Sequence, residues 1–195
     1  MLPLENKKGP GAAFTYLDFE TLPALVGSTA GGFAFVRFDV GDKVVYPHHG
    51  AAVIERVEER ELLGEAREYY ILRLAYGELT LMVPTDSTEE VGLREVTPEK
   101  EVPKVFKVLK KNEPTTNTTN WSRRFKANVE KLKSGDIYQV ADVVRSLHQR
   151  DKEKGLSAGE KRMLTKARQI LVSELTFSKD CDEMEAERML DEVLG

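Results

Sequence analysis

From Asp39 to Val96 apolar side chains recur at alternate positions in short bursts, each closed by a turn residue. Val40-Gly-Asp-Lys-Val-Val-Tyr-Pro reads as a turn feeding a strand that Pro47 stops, with His48-His49-Gly50 as the loop after it. Ala51 to Leu62 alternates as a long strand, and Leu63-Gly64-Glu65 turns into a strand over Arg67 to Leu74. Tyr76-Gly77-Glu78 then turns into Leu79-Thr80-Leu81-Met82-Val83-Pro84, and Leu93 to Val96 is a last short strand. Short strands at such spacing predict a small antiparallel β-barrel of the SH3 or Tudor type, with exposed edges open to a partner.

Beyond Val96 the period lengthens to that of a helix. Thr97-Pro98-x-x-Glu101 supplies an N-cap, a proline at the first helical position and an acid in the first turn, so a short helix is expected through Val105, Phe106, Val108 and Leu109. Glu113 to Asn120 is uniformly polar and reads as a hinge. Helices follow over Trp121–Lys133 and Ile137–Lys154, and a capping box at Ser157 and Glu160 opens a third with Met163, Leu164, Ala167, Ile170, Leu171 and Leu175 on its buried face. Asp182 to Leu194 adds a short acidic helix. The expected fold class is α+β in two domains, a small barrel followed by a compact all-α domain. The expected division is a poorly ordered extension (1–35), the barrel (36–98), a short helix and polar linker (99–120), the helical domain (121–177) and an acidic tail (178–195). The extension holds Phe14, Tyr16, Phe19 and several glycines without sustaining either period.

Charge sharpens this division. The 195 residues carry a net charge of −4, yet the span from Trp121 to Ile170 holds thirteen Lys/Arg against six Asp/Glu, while Glu174 to Glu192 holds eight acids against two cations. A basic block bounded by an acidic segment suits a domain that meets a polyanion. A single cysteine, Cys181, makes no internal disulfide and points to a reducing cytoplasm. No membrane span, metal site or cofactor is implied.

The only tryptophan sits in Asn120-Trp121-Ser122-Arg123-Arg124-Phe125-Lys126, at the mouth of a helix and beside cations. Two readings are open for these residues alone. Trp121 can stack on or wedge between bases while its neighbours neutralise phosphates, or it can staple the start of its own helix. Arg150, Lys161, Arg162 and Lys166 extend the basic set and favour DNA or RNA. His48 and His49 have no carboxylate or thiol at ligand spacing, no glycine-rich phosphate loop follows a strand, and no triad order is legible, so nothing argues for an enzyme.

Four runs resemble one family: Val40-Gly-Asp-x-Val-Val-Tyr-Pro-His-His-Gly-Ala-Ala, Leu79-Thr-Leu-x-Val-Pro, Thr119-Asn-Trp-Ser-Arg-Arg-Phe-Lys-Ala-Asn-Val-Glu-Lys-Leu, and the stretch from Gly155 to Leu175. Together they resemble the CarD/CdnL family of bacterial transcription regulators, and the actinobacterial branch most closely, over about Val36 to Leu175. The resemblance implies a monomeric, nucleoid-associated factor whose Tudor-like domain binds the β subunit of RNA polymerase and whose helical domain contacts promoter DNA at the upstream edge of the bubble. Trp121 occupies the position of the family's wedging tryptophan, which stabilises the open complex. Lys126 and Lys161 match positions implicated in DNA contact, with Arg123 and Arg124 adjacent. Arg60 matches a polymerase-contacting arginine, and Leu79, Thr80, Met82 and Pro84 fall in the second polymerase motif.

The chain departs from the pattern at Met82, where the actinobacterial branch has arginine, and in its N-terminal extension and acidic tail. Val36 falls where family members begin with methionine, and valine is how a GTG start codon reads when internal, so residues 1–35 are expected to be dispensable and untranslated. The alternative function is an autonomous DNA-binding repressor or nucleoid-type protein, with the barrel as a dimerisation module.

Overall fold

The computed structural model describes residues 37–62, 65–77, 79–111 and 120–195; the expected extension over residues 1–35 and most of the expected hinge lie outside them. The first part is a five-stranded antiparallel sheet. Its strands are β1 (Lys43–Tyr46), β2 (Gly50–Leu62), β3 (Glu65–Leu74), β4 (Thr80–Pro84) and β5 (Arg94–Glu95), in the order β4-β3-β2-β1-β5. Alternation dictates the two faces: Ala52, Ile54, Tyr70, Leu72, Leu81 and Val83 point into a core completed by Phe38, Val44, Leu74 and Leu93. The register of β2 on β3 skips between Ile54 and Arg56, a bulge that bends the long strand.

Among the described residues the sheet does not close into a barrel, and it keeps the open edges expected of so small a sheet. Among these residues β5, only two residues long, pairs with β1 alone and β4 pairs with β3 alone, so each leaves one backbone edge without a partner strand there. The chain leaves β5 early because Thr97, next but one after it, is held elsewhere. Its hydroxyl and amide both donate to Glu174, at 2.6 and 3.0 Å. Thr97 is therefore not the expected helix cap; a 3-10 turn over Glu99–Glu101 intervenes, and α1 runs over Val102–Leu109.

Four further helices follow: α2 (Trp121–Lys133), α3 (Ile137–Lys154), α4 (Ala158–Lys179) and α5 (Glu183–Leu194). Each starts at a residue whose side chain accepts from a backbone amide of the first turn, namely Asn120, Asp136, Ser157 and Asp182. Their apolar stripes share one core with α1, whose Val102, Val105 and Leu109 are buried with Val140, Val144, Leu171 and Leu175. The polar segment after α1 thus joins two helices of the same layer. The acidic segment is built into that core as well, through Ala186 and Leu190 on α5.

Sheet and helices meet along α4. Gly50, with φ of 95°, lies so close to this helix that an added Cβ would fall 2.5 Å from Ser173 Oγ, and the Ala51 amide donates to the same hydroxyl at 3.0 Å. Arg94 closes the other side, donating to Gly135 O at 2.6 and 2.8 Å and to the buried Glu174 carboxylate. Ser178 Oγ donates to Thr97 O at 2.6 Å, and Lys179 pairs with Glu99. Ties from β1, β2, β5 and the 3-10 turn hold the sheet against the helices at a defined orientation.

Candidate nucleic-acid and partner surfaces

Two helix N-termini meet at Trp121. Asn120 caps α2 through the Arg123 amide, which places the indole on the first turn, and Phe125 one turn later stacks against it with centroids 5.1 Å apart at 29°. The indole N–H donates to Ser157 Oγ, the cap of α4, at 3.2 Å. Gly159 on the first turn of α4 faces this pair, and a Cβ there would make ordinary contact with the Phe125 ring at 3.4 Å and with the indole at 3.9 Å. Thus fixed on one side, Trp121 is still 45 % exposed on the other. A half-exposed tryptophan with a fixed pose is a stacking surface looking for a partner.

Glu160 is the electrostatic centre beneath it. Its carboxylate, almost wholly buried, accepts from the Ser157 amide and hydroxyl at 3.1 and 2.8 Å and lies 3.5 Å from Arg124 and 3.4 Å from Arg150. Burial alone would raise this carboxyl, but the Ser157 hydrogen bonds and the charges of Arg150 and Arg124 outweigh it and hold it below its ordinary value. Arg124 and Arg150, chosen from the sequence as DNA contacts, therefore direct charge inward. Arg123 and Lys161 are exposed on the first turns of α2 and α4, where the positive helix ends add to their field, and Lys126 and Arg162 are exposed on the turns that follow. Lys166 stands apart from this group, in the field of His48 and His49 of the β1–β2 turn. The sequence reading missed Ser157 and Glu160 as supports of Trp121. The capping box was visible, but nothing in it signals an indole 36 residues away.

The residues chosen for a protein partner gather on the sheet. Cross-strand neighbours share a face, and so do alternate residues of one strand. The register aligns Pro84 with Tyr69 and Glu58, and Met82 with Ile71 and Arg56, so Thr80, Met82, Pro84 and Arg60 all belong to the face opposite the sheet's core. Leu79 precedes β4 at its edge. Arg60 donates to Glu58 at 2.6 and 2.8 Å, and Arg56 pairs with the same carboxylate, whose pKa these hydrogen bonds lower. Among the described residues β4 is the last strand of its side of the sheet, with its half-buried side chains beside that edge. Among the described residues no helix is long and apolar enough to cross a membrane.

Comparison with known proteins follows the same division. Residues 38–97 match the CarD-like/TRCF RID domain, and residues 104–191 match the CarD C-terminal domain. The break between them falls where the sheet ends and α1 begins. The chain is also 38 % identical over 146 residues to YdeB of Bacillus subtilis (strain 168), whose name gives it provisionally as a transcription factor, with 75 % of this chain and 95 % of that protein covered. With both of its structural layers matched in order and a relative aligned over nearly its whole length, the chain belongs to the CarD/CdnL family of bacterial transcription regulators.

Proposed function

We propose that this regulator docks on the β subunit of RNA polymerase through β4 and the adjoining face with Arg60 and Met82, and stabilises the open promoter complex by inserting Trp121 at the upstream edge of the melted DNA. The observation that carries this reading is the pose of Trp121: stacked on Phe125, hydrogen-bonded to Ser157, half exposed, and accompanied by Arg123, Lys126, Lys161 and Arg162. The place of β4 as the last strand of its side among the described residues supports the protein contact, since an edge accepts a strand from a partner sheet. Met82 makes the contact on β4 apolar where relatives in the actinobacterial branch carry a charge.

Energetics favour division of labour. One stacked aromatic and a few phosphate contacts hold duplex DNA weakly, with dissociation constants of roughly micromolar or worse at physiological salt. Docking on polymerase raises the local concentration of Trp121 toward roughly millimolar, so weak DNA binding suffices. The rigid junction along α4 carries the indole at a fixed offset from the docked sheet. The decisive experiment measures the lifetime of open complexes on a responsive promoter with wild-type protein and with Trp121→Ala. A shorter lifetime with unchanged polymerase affinity supports the proposal; tight, sequence-specific binding to naked duplex without polymerase would replace it with the autonomous repressor.

A further inference from the structure

The turn between β1 and β2 is where the sheet enters the helical layer. Pro47 packs over Gly135, where a Cβ would come within 2.9 Å of the proline ring, and Gly50 packs on α4 against Ser173 and Ile170. Between these anchors the His49 amide donates to Tyr46 O at 3.0 Å, and its ring stacks on Tyr46 with centroids 5.2 Å apart. His48 is left at the apex, exposed and in the left-handed conformation with φ of 67°. A residue with a Cβ is held there at a cost, so the surrounding contacts fix its position.

Two lysines reach this apex from the helices on either side. Lys133 ends α2 two residues before Gly135, and Lys166 lies one turn before Ile170 on α4, so each is carried by backbone that touches the turn. Both are exposed, and among the described residues neither forms an ion pair. They act on His48 together with a single carboxylate, Glu130, and Lys166 acts on His49 too. Ammonium groups and an imidazole converging from three elements, with little negative charge to offset them, make a site for an anion.

The helices say which anion. Lys126 and Lys133 are seven residues apart on α2, hence on one side and about 10.5 Å apart along the axis, roughly three steps of 3.4 Å along one DNA strand. Arg162 and Lys166, four residues apart, share a side of α4 in the same way. Arg162 follows by three residues Gly159, which packs against Trp121, and both rows end at the β1–β2 turn. We propose that His48, Lys133 and Lys166 form a second phosphate-binding point, by which the polymerase-docking sheet itself touches the backbone of the DNA whose other contact is Trp121. This rests on the reading of α2 and α4 as a DNA-binding surface.

The site carries its own pH signature. In the free protein partial desolvation of its exposed ring by the packed turn, then Lys133 and Lys166, push the His48 imidazole below its ordinary value against the opposing pull of Glu130, so it is mostly neutral at pH 7. A phosphate beside it favours the proton, so binding takes up a proton and affinity rises as the pH falls from the mildly alkaline side toward the lowered value of the free imidazole. His49, pushed down to about 4 chiefly by burial, stays neutral through that range, and its stacking partner Tyr46 is raised away from it.

The test is titration of a fluorescent duplex at low ionic strength with full-length wild type, His48→Gln, Lys133→Ala/Lys166→Ala and, as a charge control remote from the surface, Lys107→Ala. The double variant is expected to lower the slope of log affinity against log salt by about 0.9 per lysine, and Lys107→Ala to leave it unchanged. His48→Gln is expected to abolish the rise in affinity on acidification while binding as wild type does at pH 8. Wild-type slopes and pH profiles in both variants would overturn this proposal and leave DNA binding through Trp121 standing. No binding by the wild type at all would remove the DNA reading itself.

Discussion

Arg94 and Glu174, eighty residues apart in sequence, form a two-pronged ion pair across the junction of sheet and helices, with Nη1 and Nη2 at 2.7 and 2.8 Å from the two carboxylate oxygens. Glu174 is 1 % exposed and also accepts from Thr97, while Arg94 spends its remaining donors on Gly135 O and Glu95 O. Every guanidinium proton has an acceptor and both carboxylate oxygens accept, which is the condition under which a buried pair holds structure in place. Glu174→Ala leaves the guanidinium without its carboxylate and Thr97 without an acceptor. The expected cost is about 2–4 kcal/mol, at the low end of buried pairs because Arg94 is itself partly exposed. Urea denaturation measures it. If the pair sets the offset between polymerase and DNA contacts, Glu174→Gln, folded at working temperature, keeps polymerase affinity and loses part of its effect on open-complex lifetime.

The same pair marks the limit of what the sequence discloses. Alternation in β2, β3 and β4 and the heptad-like stripes of α2, α3 and α4 are local signals, and so are the caps at Asp136 and Ser157. Glu174, by contrast, looks in sequence like the first acid of the span in which charge turns negative, because burial is a property of the partner it meets. Thr97 looks like a cap because its competitor for the hydroxyl lies 77 residues on. The open sheet follows from the same cause, since Thr97 pulls the chain away before β5 can lengthen. Within the site, Trp121 and its cations stood out by residue type alone, whereas the inward turn of Arg124 and Arg150 depends on Glu160.

Arg60→Glu tests the protein-facing side. Its pairing with Glu58 is half-exposed, with 40 % of the Arg60 side chain in solvent, so the guanidinium can exchange this contact for one with a partner. Reversal both removes an attraction and sets two like charges side by side. The expected loss is about 10- to 100-fold in affinity for the polymerase β subunit, with thermal stability and DNA affinity unchanged. Surface plasmon resonance on the isolated β lobe reads it, and equal affinity would take Arg60 out of the interface.

Lys126→Ala and Lys161→Ala should each weaken DNA binding to the same degree on unrelated sequences and reduce the salt slope by about 0.9, because phosphate contacts position a protein without reading bases. Anisotropy titrations on two duplexes of different sequence suffice. A loss on one duplex only would mean that these lysines read base edges.

Glu160 predicts an acid sensitivity. Its folded value lies below the ordinary 4.5, so its contribution is complete above about that pH and disappears as the pH falls through the lower folded value. Wild type should therefore lose more stability than Glu160→Gln between pH 5 and pH 3, a range set by the usual span of carboxylate titration of about two units. At neutral pH the glutamine variant is the less stable by about 1 kcal/mol, through its weakened capping box. Melting curves at several pH values decide the matter, and parallel acid profiles would mean that other carboxylates govern the acid limit.

Trp121→Ala separates the two roles the sequence left open for this residue. As a staple, the indole would contribute by packing, and its removal would unfold the start of α2 or the whole helical layer. The observed packing is limited: one face rests on Phe125, one hydrogen bond reaches Ser157, and nearly half of the residue remains in solvent. Ser157 keeps its capping box without the indole, because the Glu160 amide and carboxylate both still engage it. The melting temperature is therefore expected to fall by only a few degrees, of the order of 1 kcal/mol for a domain of this size. A base stacked on the exposed face is worth about 1–3 kcal/mol, so open-complex lifetime should shorten by roughly five- to hundredfold. Trp121→Phe should fall between the two, since a phenyl ring retains a stacking face but loses the hydrogen bond that orients it. Should the alanine variant lose its helical circular dichroism or melt cooperatively at a much lower temperature, Trp121 is a structural staple and the melted DNA is held by something else.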